Sequence, residues 1–349
     1  MLVKSLKLND FRNYSGFYLE FDPKLNIIVG KNGIGKTNIL ESILVVSNTK
    51  SYRCNDDNFL IKKNKDYARI LLKSDNGEFK VVIGNKNKSL YYNNSLIHKT
   101  SEFIGKLNAI LFKPDDLQIF NDTPSERRKL LDIEIGKVNK KYLSAELKYH
   151  KLLKDKNKLL KELEVDQILL QVLEESMIPL IKIILEERIR FFDEINKIIS
   201  DIYFRISGNR SDIKIIYKKC CEIDEVENKM KSSKDKDMYY HYSTFGPHHD
   251  DFYFEMDGFN ANDIASQGQK RMLLIAFKFA IIEYIQKHLG QTPVVLLDDI
   301  LSELDKNNQE RLIHAIPENC QVIITNTDIN DLKINSKYKL IELKEENNG

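Results

Sequence analysis

The chain has 349 residues, of which 42% are hydrophobic and 30% are charged, and its formal net charge at pH 7 is +2. This composition is typical of a globular protein that buries one large core or two smaller ones, and its apolar stretches fall short of the roughly 20 residues of a membrane span. The small net charge does not indicate a nucleic-acid-binding protein, so any such surface has to be local. We expect a cytoplasmic protein, because no secretory signal pattern is visible and the four cysteines form no C-x-x-C pair.

The first 124 residues show a β-rich pattern that leads into a helix through a glycine-rich loop. Alternating apolar residues indicate half-buried strands, a continuous apolar run indicates a buried strand, and Asp75–Gly77 is typical of a hairpin turn. The predicted elements, in chain order, are strands at 2–8, 17–21 and 25–29, a helix at 39–46, a β-meander at 67–97 and a strand at 107–112.

From about residue 125 to residue 206 the sequence changes to long helical patterns with few glycines. A heptad rhythm, which predicts a helical hairpin or small bundle, runs through Tyr142, Ala145, Tyr149, Leu152, Lys156, Leu159 and Leu163. An α/β pattern returns over 243–349, with strands predicted at 251–256, 294–297 and 321–325 and helices at 267–288 and 306–315. We therefore predict an α/β fold in which 1–124 and 243–349 form one ATPase domain and 125–242 is an inserted helical lobe.

The glycine-rich loop at residues 30–37 matches the phosphate-loop pattern G-x-x-x-x-G-K-[ST] in full. Its glycines allow a nest of backbone N–H groups around phosphates, with a lysine for the β- and γ-phosphates and a hydroxyl for Mg²⁺. The alternative is a plain turn between a strand and a helix. The predicted nucleotide-binding residues are Gly30, Lys31, Asn32, Gly33, Ile34, Gly35, Lys36 and Thr37.

Two adjacent acids, Asp298 and Asp299, end the apolar run that starts at Pro293. They lie far along the chain from Lys36 (298 − 36 = 262 residues). Burying two carboxylates at the end of a strand costs free energy unless a cation lies nearby, so Asp298 is predicted to bind Mg²⁺ together with Thr37. Asp299 is predicted to position the attacking water, and Lys36 is the other predicted catalytic residue. The alternative is that the two acids cap the following helix.

The segment Ser266-Gln-Gly-Gln precedes a long predicted helix. A serine N-cap and the free N–H groups of a first turn form an anion site, although many helices begin in this way. Its position in the same chain as the loop and the acids favours a role at a phosphate.

These motifs, in this order, resemble the ABC-type ATPases of the SMC/Rad group and, within it, the RecF family over nearly the whole chain. Further segments that carry the resemblance are Asn9-Asp-Phe-Arg-Asn-Tyr, Lys36-Thr-Asn-Ile-Leu-Glu, Lys50-Ser-Tyr-Arg, Leu111-Phe-Lys-Pro-Asp-Asp-Leu, Arg127-Arg-Lys-Leu-Leu-Asp, Gly246-Pro-His-His-Asp-Asp and Ser302-Glu-Leu-Asp.

The resemblance implies that two subunits sandwich ATP head to tail and that ATP binding drives homodimer formation. Ser266, Gly268 and Gln269 would then contact ATP held by the partner chain, with Asp305 at the same interface. Thr325 would occupy the position that senses the γ-phosphate. Asp299 stands where many ABC ATPases carry glutamate, which implies slow, switch-like hydrolysis, and His249 stands where RecF-like sequences usually carry arginine.

The resemblance also implies a weak DNA-dependent ATPase of DNA repair, replication, recombination and the SOS response. Such a protein binds double-stranded DNA and gapped junctions and assists recombinase loading with RecR and RecO. Three alternative functions remain: a structural SMC-type ATPase, a monomeric phosphate-loop enzyme, and a metal-dependent nuclease built on His248-His-Asp-Asp.

A lysine-rich helical face is the candidate DNA contact, and a solvated face with no DNA contact explains it equally well. Arg12, Arg53, Arg127 and Arg128 are further candidates for phosphate contact. The lysines predicted to share an arc of the helix are Lys137, Lys140, Lys141, Lys148, Lys151 and Lys158.

Overall fold

The structure is a computed structural model that describes residues 1–85, 87–332, 334 and 337–344. The chain forms two compact units: 1–116, 204–209 and 274–349 make the first, and 117–203 and 210–273 make the second. The sequence predicts domain boundaries after residues 124 and 242, and the borders of these two compact units lie at other positions. The predicted domain boundaries stay a prediction. Within the described part of the chain, no helix is long and apolar enough to cross a membrane.

The strands confirm the predicted positions and extend several of them. They are β1 (Val3–Phe11), β2 (Tyr14–Glu20), β3 (Leu25–Val29), β4 (Tyr67–Ser74), β5 (Gly77–Gly84), β6 (Lys88–Tyr92), β7 (Ser95–Ile97), β8 (Ala109–Phe112), β9 (Ile213–Lys218), β10 (Asp251–Met256), β11 (Phe259–Asn260), β12 (Val294–Asp298), β13 (Val322–Asn326) and β14 (Lys339–Glu342).

The helices likewise confirm those predicted at 39–46, 267–288 and 306–315. They are α1 (Lys36–Asn48), α2 (Thr100–Phe103), α3 (Pro124–Val138), α4 (Lys140–Leu159), α5 (Gln167–Asn196), α6 (Ile199–Ser207), α7 (Val226–Tyr240), α8 (Ala261–Ile264), α9 (Gln267–Leu289) and α10 (Lys306–Ala315).

The first unit contains two sheets of different character. A parallel sheet has the order β14-β3-β13-β12-β8, and an antiparallel sheet has the order β2-β1-β4-β5-β6-β7. All five residues of β3, β12 and β13 are buried, as expected for central strands of a parallel sheet covered on both faces. The carboxyl ends of these strands meet at one edge of the sheet, where ligands bind in open α/β sheets.

Helix α1 contacts strands of both sheets, including β12 and β13 of the parallel sheet and β4 and β5 of the antiparallel one. It is therefore covered on nearly all sides, and ten of its thirteen residues are buried. This packing fixes the start of α1 at the end of β3.

The second unit combines helices α3, α4, α5 and α7 with a three-stranded antiparallel sheet of order β11-β10-β9. Strand β9 was missed in the sequence, where the lobe was expected to be helical throughout. A break at Asn139 separates α3 from α4, and the Asn139 side chain caps α4 by accepting a hydrogen bond from the Tyr142 N–H.

The predicted heptad pattern was wrong at Leu163, and it gave no reason for a lysine at Lys156. Helix α4 ends at Leu159, and Leu163 is fully exposed. Lys156 occupies a core position because its ammonium lies 2.9 Å from Glu174 and 2.8 Å from Asp237. A buried lysine is tolerated only with such partners.

Candidate nucleotide site

The glycine-rich loop joins the end of β3 to the first turn of α1. Gly33 and Gly35 have φ values of +81° and +116°, a region that side chains other than glycine rarely adopt. A Cβ atom on Gly35 would lie 2.5 Å from the hydroxyl oxygen of Tyr14. The loop therefore requires glycine at this position for both its backbone angle and its packing.

Lys36 is buried at the start of α1, and its ammonium points back into the loop. Nζ donates to the carbonyl oxygens of Gly30, at 2.6 Å, and Lys31, at 3.3 Å. The side chain thus holds a positive charge inside the curve of the loop, beside the amide groups that a phosphate would contact.

Folding brings Asp298 to the loop, as its predicted role requires. Thr37 Oγ1 donates to Asp298 Oδ1 at 3.1 Å, and Thr325 Oγ1 donates to the same oxygen at 2.8 Å. Strands β12 and β13 pair in parallel with Asp298 opposite Thr325, which places both residues at the carboxyl edge of the sheet. The Tyr52 hydroxyl approaches Asp298 Oδ2 at 3.4 Å.

The two acids have the properties of a cation site. Burial raises the pKa of Asp298 above its ordinary value, although hydrogen bonds from Thr325 and Thr37 oppose that shift. Asp299 has a φ of +49°, and its Oδ1 is buried without a hydrogen-bond partner. Two adjacent carboxylates, one with an unsatisfied oxygen, and a threonine hydroxyl form a donor set that fits Mg²⁺.

A cavity of about 490 Å³ opens beside these acids. The Lys113 ammonium lies 5.2 Å from the centre of the Tyr52 ring, so a cation and an aromatic ring stand on the cavity wall near the carboxylates. The lining residues are Thr37, Tyr52, Arg53, Lys113, Pro114, Asp115, Asp298 and Asp299.

A buried carboxylate that the sequence analysis missed organises one side of the loop. Glu41 is fully buried in α1 and accepts from Arg12 Nε at 2.9 Å, from an Arg12 terminal nitrogen at 2.6 Å and from Ser51 Oγ at 2.6 Å. Arg53 bonds to it more weakly, at 3.4 Å, and also bonds to Asn38. A glutamate within the apolar run 39–46 was the signal for such a cluster.

This cluster changes the interpretation of two predicted phosphate contacts. Arg12 is committed to Glu41, and Arg53 is divided between Asn38 and Glu41 while it also lines the cavity. Asn13 donates to the Ile34 carbonyl at 3.0 Å. Arg12 thus ties its segment to Glu41 of α1, and the next residue, Asn13, bonds to the loop, whereas Arg53 lines the cavity where a ligand would bind.

Arg127 and Arg128, in the second unit, bind protein groups instead. Arg127 forms a bidentate ion pair with Asp251, and Arg128 donates a hydrogen bond to the Asp250 carbonyl oxygen. These arginines hold α3 to the start of β10.

Ser266 and Gln269 form a capping box at the start of α9 in the second unit. Ser266 Oγ accepts from the Gln269 N–H at 3.2 Å, and Gln269 Oε1 accepts from the Ser266 N–H at 2.8 Å. Ser266 and Gly268 are exposed, so this first turn is open to a molecule outside the chain. The predicted N-cap is confirmed, and contact with a phosphate stays a prediction.

Asp305 and Thr325 have clear structural roles. Asp305 is the N-cap of α10 and accepts from the Asn308 N–H at 2.9 Å, yet it remains exposed. Thr325 is fully buried, and its hydroxyl is used by Asp298 and by the Asp299 N–H, at 3.1 Å. The side chain therefore positions the two acids, and the γ-phosphate-sensing role expected of Thr325 stays a prediction.

The lysine face needs one correction. Lys137 lies in α3, not α4, and its buried ammonium pairs with Glu134 at 2.9 Å, so it is not a DNA contact. The break at Asn139 invalidates a single helical wheel through both helices. The other five lysines are exposed on α4: Lys140, Lys141, Lys148, Lys151 and Lys158.

The segment 248–251 does not form a metal site. Asp250 accepts from Arg188 and Tyr217, Asp251 binds Arg127, and the two histidines face Tyr149 and Ser243. Burial lowers the pKa of His248 to about 3, so its ring is neutral. Each of the four side chains bonds to protein groups, the two histidines to the same Ser243 carbonyl, which removes the basis of the nuclease alternative.

Comparison with known proteins agrees with this geometry. A family model described as the RecF/RecN/SMC N terminal domain matches residues 2–349. The DNA replication and repair protein RecF of Lachnospira eligens is 37% identical over 98% of both chains. The chain belongs to the RecF family. RecF of Clostridium botulinum is also 37% identical, over 100% of this chain and 99% of its own.

Solved structures confirm the predicted α/β ABC-type ATPase fold. A structure described as the recombination mediator protein RecF-ATP in the RecFOR pathway has a TM-score of 0.89 at 28% identity and covers 99% of this chain and 96% of its own. An Smc head bound to the C-winged helix domain of ScpA has a TM-score of 0.56 at 20% identity, covers 94% of this chain and 90% of its own, and shares the fold.

Proposed function

We propose that this RecF-family chain is an ATP-dependent switch that binds double-stranded and gapped DNA in recombinational repair and replication. The observation that carries the proposal is the hydrogen-bonded set of Thr37, Asp298 and Thr325 beside the phosphate loop. A loop for phosphates and acids for their metal ion, joined by folding, are the parts that nucleotide hydrolysis requires.

ATP would bind with its phosphates against the backbone N–H groups of residues 30–37, and the Lys36 ammonium would turn from the loop carbonyls to the β- and γ-phosphates. Thr37 and Asp298 would hold Mg²⁺, which neutralises phosphate charge when bound. Asp299, with its unpaired Oδ1, would orient the attacking water. A short carboxylate in this role favours slow hydrolysis, as suits a switch.

The segment Ser266-Gln-Gly-Gln would bind the nucleotide of a partner chain. Ser266, Gly268 and Gln269 open the first turn of α9, where free N–H groups attract an anion. We propose that they contact the γ-phosphate bound to a second copy of the chain, with Asp305 near the same interface. ATP would thereby drive homodimer formation, and hydrolysis would reverse it.

DNA contact is proposed for the exposed lysines of α4: Lys140, Lys141, Lys148, Lys151 and Lys158. Lysines on one helix bind phosphates without reading base sequence, which suits a protein that recognises a DNA structure. By its family, the chain would assist recombinase loading with RecR and RecO. Its structural relative, the recombination mediator protein RecF, belongs to the RecFOR pathway.

A structural SMC-type ATPase is the second candidate function, because the Smc head shares the fold. Its work requires long coiled-coil arms. Helices α4 and α5, at 20 and 30 residues, span only about 30 and 45 Å at 1.5 Å per residue. The short helices of the second unit therefore favour the DNA-repair switch.

A DNA-binding comparison tests the proposal. Duplex, gapped and single-stranded DNA of equal length would be titrated with the protein, with and without ATP, beside a Lys36→Ala control. We expect ATP to tighten binding to duplex and gapped DNA and to have no effect on the control. Equal binding to all three DNAs, unchanged by ATP, would refute the proposed function.

A further inference from the structure

A group of metal-binding side chains lies in the second unit, outside the residues proposed for ATP and DNA. Asp132 of α3 and Glu146 and His150 of α4 offer one oxygen or nitrogen each, and these three atoms lie within 4.8 Å of one another. Glu146 and His150 are four residues apart on α4, so they project from the same face in successive turns.

The Asp132 carboxylate is held in one orientation by buried neighbours. Its Oδ1 accepts from Arg188, at 2.8 Å, and from the hydroxyl of Tyr142. Both bonds use the same oxygen, and this leaves Oδ2 for another ligand. Partners behind a metal-binding carboxylate orient it and commonly raise metal affinity.

The other two donors are already near the spacing that a metal ion imposes. His150 Nε2 lies 3.0 Å from Glu146 Oε1, and donors around a tetrahedral Zn²⁺ with bonds of about 2.1 Å stand roughly 3.4 Å apart. The His150 side chain is 50% exposed, whereas those of Glu146 and Asp132 are 15% and 17% exposed. The group therefore has an ordered base and a side open to solvent.

We propose that Asp132, Glu146 and His150 bind a divalent transition metal ion such as Zn²⁺. One imidazole and two carboxylates are a donor set that Zn²⁺ accepts, with water completing the coordination. The ion would join α3 to α4 across the break at Asn139 and so fix the angle between these helices. This site is independent of Mg²⁺ at Asp298.

Titration with Zn²⁺ alone tests the site on the full, nucleotide-free chain after treatment with EDTA and desalting. Isothermal titration calorimetry should show one equivalent of Zn²⁺ that is lost or weakened at least about tenfold in His150→Ala and in Glu146→Gln. His98→Ala, at an exposed histidine in the first unit, should leave this equivalent unchanged.

Co²⁺ substitution identifies the donor atoms. The visible spectrum should show a nitrogen- and oxygen-ligated ion without a thiolate charge-transfer band, which excludes the four cysteines as ligands. Failure of the wild-type chain to bind one equivalent, or equal binding by His150→Ala, would overturn the proposal and leave Glu146 and His150 as an ion pair.

Discussion

The hydroxyl of Thr37 donates a hydrogen bond to Asp298 Oδ1 over 3.1 Å, although the two residues are 261 positions apart in the chain. Thr37 lies in the first turn of α1, after the loop that follows strand β3, and Asp298 ends strand β12. Between these strands in the sheet lies β13, whose Thr325 bonds to the same oxygen. Two neighbouring strands and the first turn of α1 therefore meet at one carboxylate, and the proposed nucleotide site depends on the assembled parallel sheet.

Replacement of Lys36 by alanine should weaken ATP binding by about 10- to 100-fold, because a charged hydrogen-bond donor to phosphate is worth roughly 1.5–3 kcal/mol. A fluorescent ATP analogue measures the affinity. Lys24→Ala, at an exposed lysine outside the loop, is the control and should bind normally. An unchanged affinity in Lys36→Ala would mean that the loop does not hold the phosphates.

Replacement of Asp299 by asparagine should reduce ATP hydrolysis on the order of 100-fold or more and leave ATP affinity within a few-fold of wild type. The reason is that Asp299 is proposed to act on water and not on the bound nucleotide. Phosphate release and equilibrium binding, measured on the same preparation, separate the two effects. Hydrolysis at the wild-type rate would remove Asp299 from the mechanism.

The acid Asp298 makes stability depend on pH. Burial raises its pKa, so the folded state favours the protonated form. The free energy of unfolding should therefore fall as pH rises from the unfolded-state pKa of about 4 through the raised folded-state value.

Asp298→Asn stays neutral and should therefore melt at a higher temperature than wild type at pH 7.5 without Mg²⁺ or nucleotide. The difference should vanish near pH 4. Addition of Mg²⁺ and ATP should stabilise wild type more than the variant. Thermal scans check this, and a variant less stable than wild type at both pH values would contradict it.

Reversal of Lys140, Lys148 and Lys151 to glutamate should weaken duplex binding and flatten its salt dependence. The loss of three phosphate contacts lowers the slope of log K against log salt by about 2.7. Glutamate at the exposed residues Lys24, Lys63 and Lys99 makes the same charge change elsewhere. If both triple variants have the wild-type slope, the α4 lysines are a solvated face.

The phosphate loop and the acids were predictable because each is a local pattern at the end of a strand. Local patterns do not show which groups meet across the chain. Lys137 and Lys156 illustrate this limit: both are buried with carboxylates, and the partners of Lys156 come from α5 and α7. From sequence spacing, Lys137 was predicted to lie on a DNA-binding face, and Lys156 was the one polar residue in the heptad pattern.

The cluster around Glu41 was unpredictable for the same reason. Arg12, Ser51 and Arg53 come from segments that supported the family resemblance, but only the folded chain shows that they converge on one buried carboxylate. Thr325 shows the same limit, because only the folded chain shows that its hydroxyl bonds to Asp298 and to the Asp299 N–H.

Sedimentation with and without ATP tests the central claim, that ATP joins two chains through the Ser266 segment. Wild type should change from monomer to dimer when ATP is added. Ser266→Arg should stay monomeric while it still binds ATP, and Asp193→Arg, at an exposed site on α5, should dimerise normally. A wild-type chain that stays monomeric with ATP at high protein concentration, or a Ser266→Arg chain that dimerises as wild type does, would contradict the account.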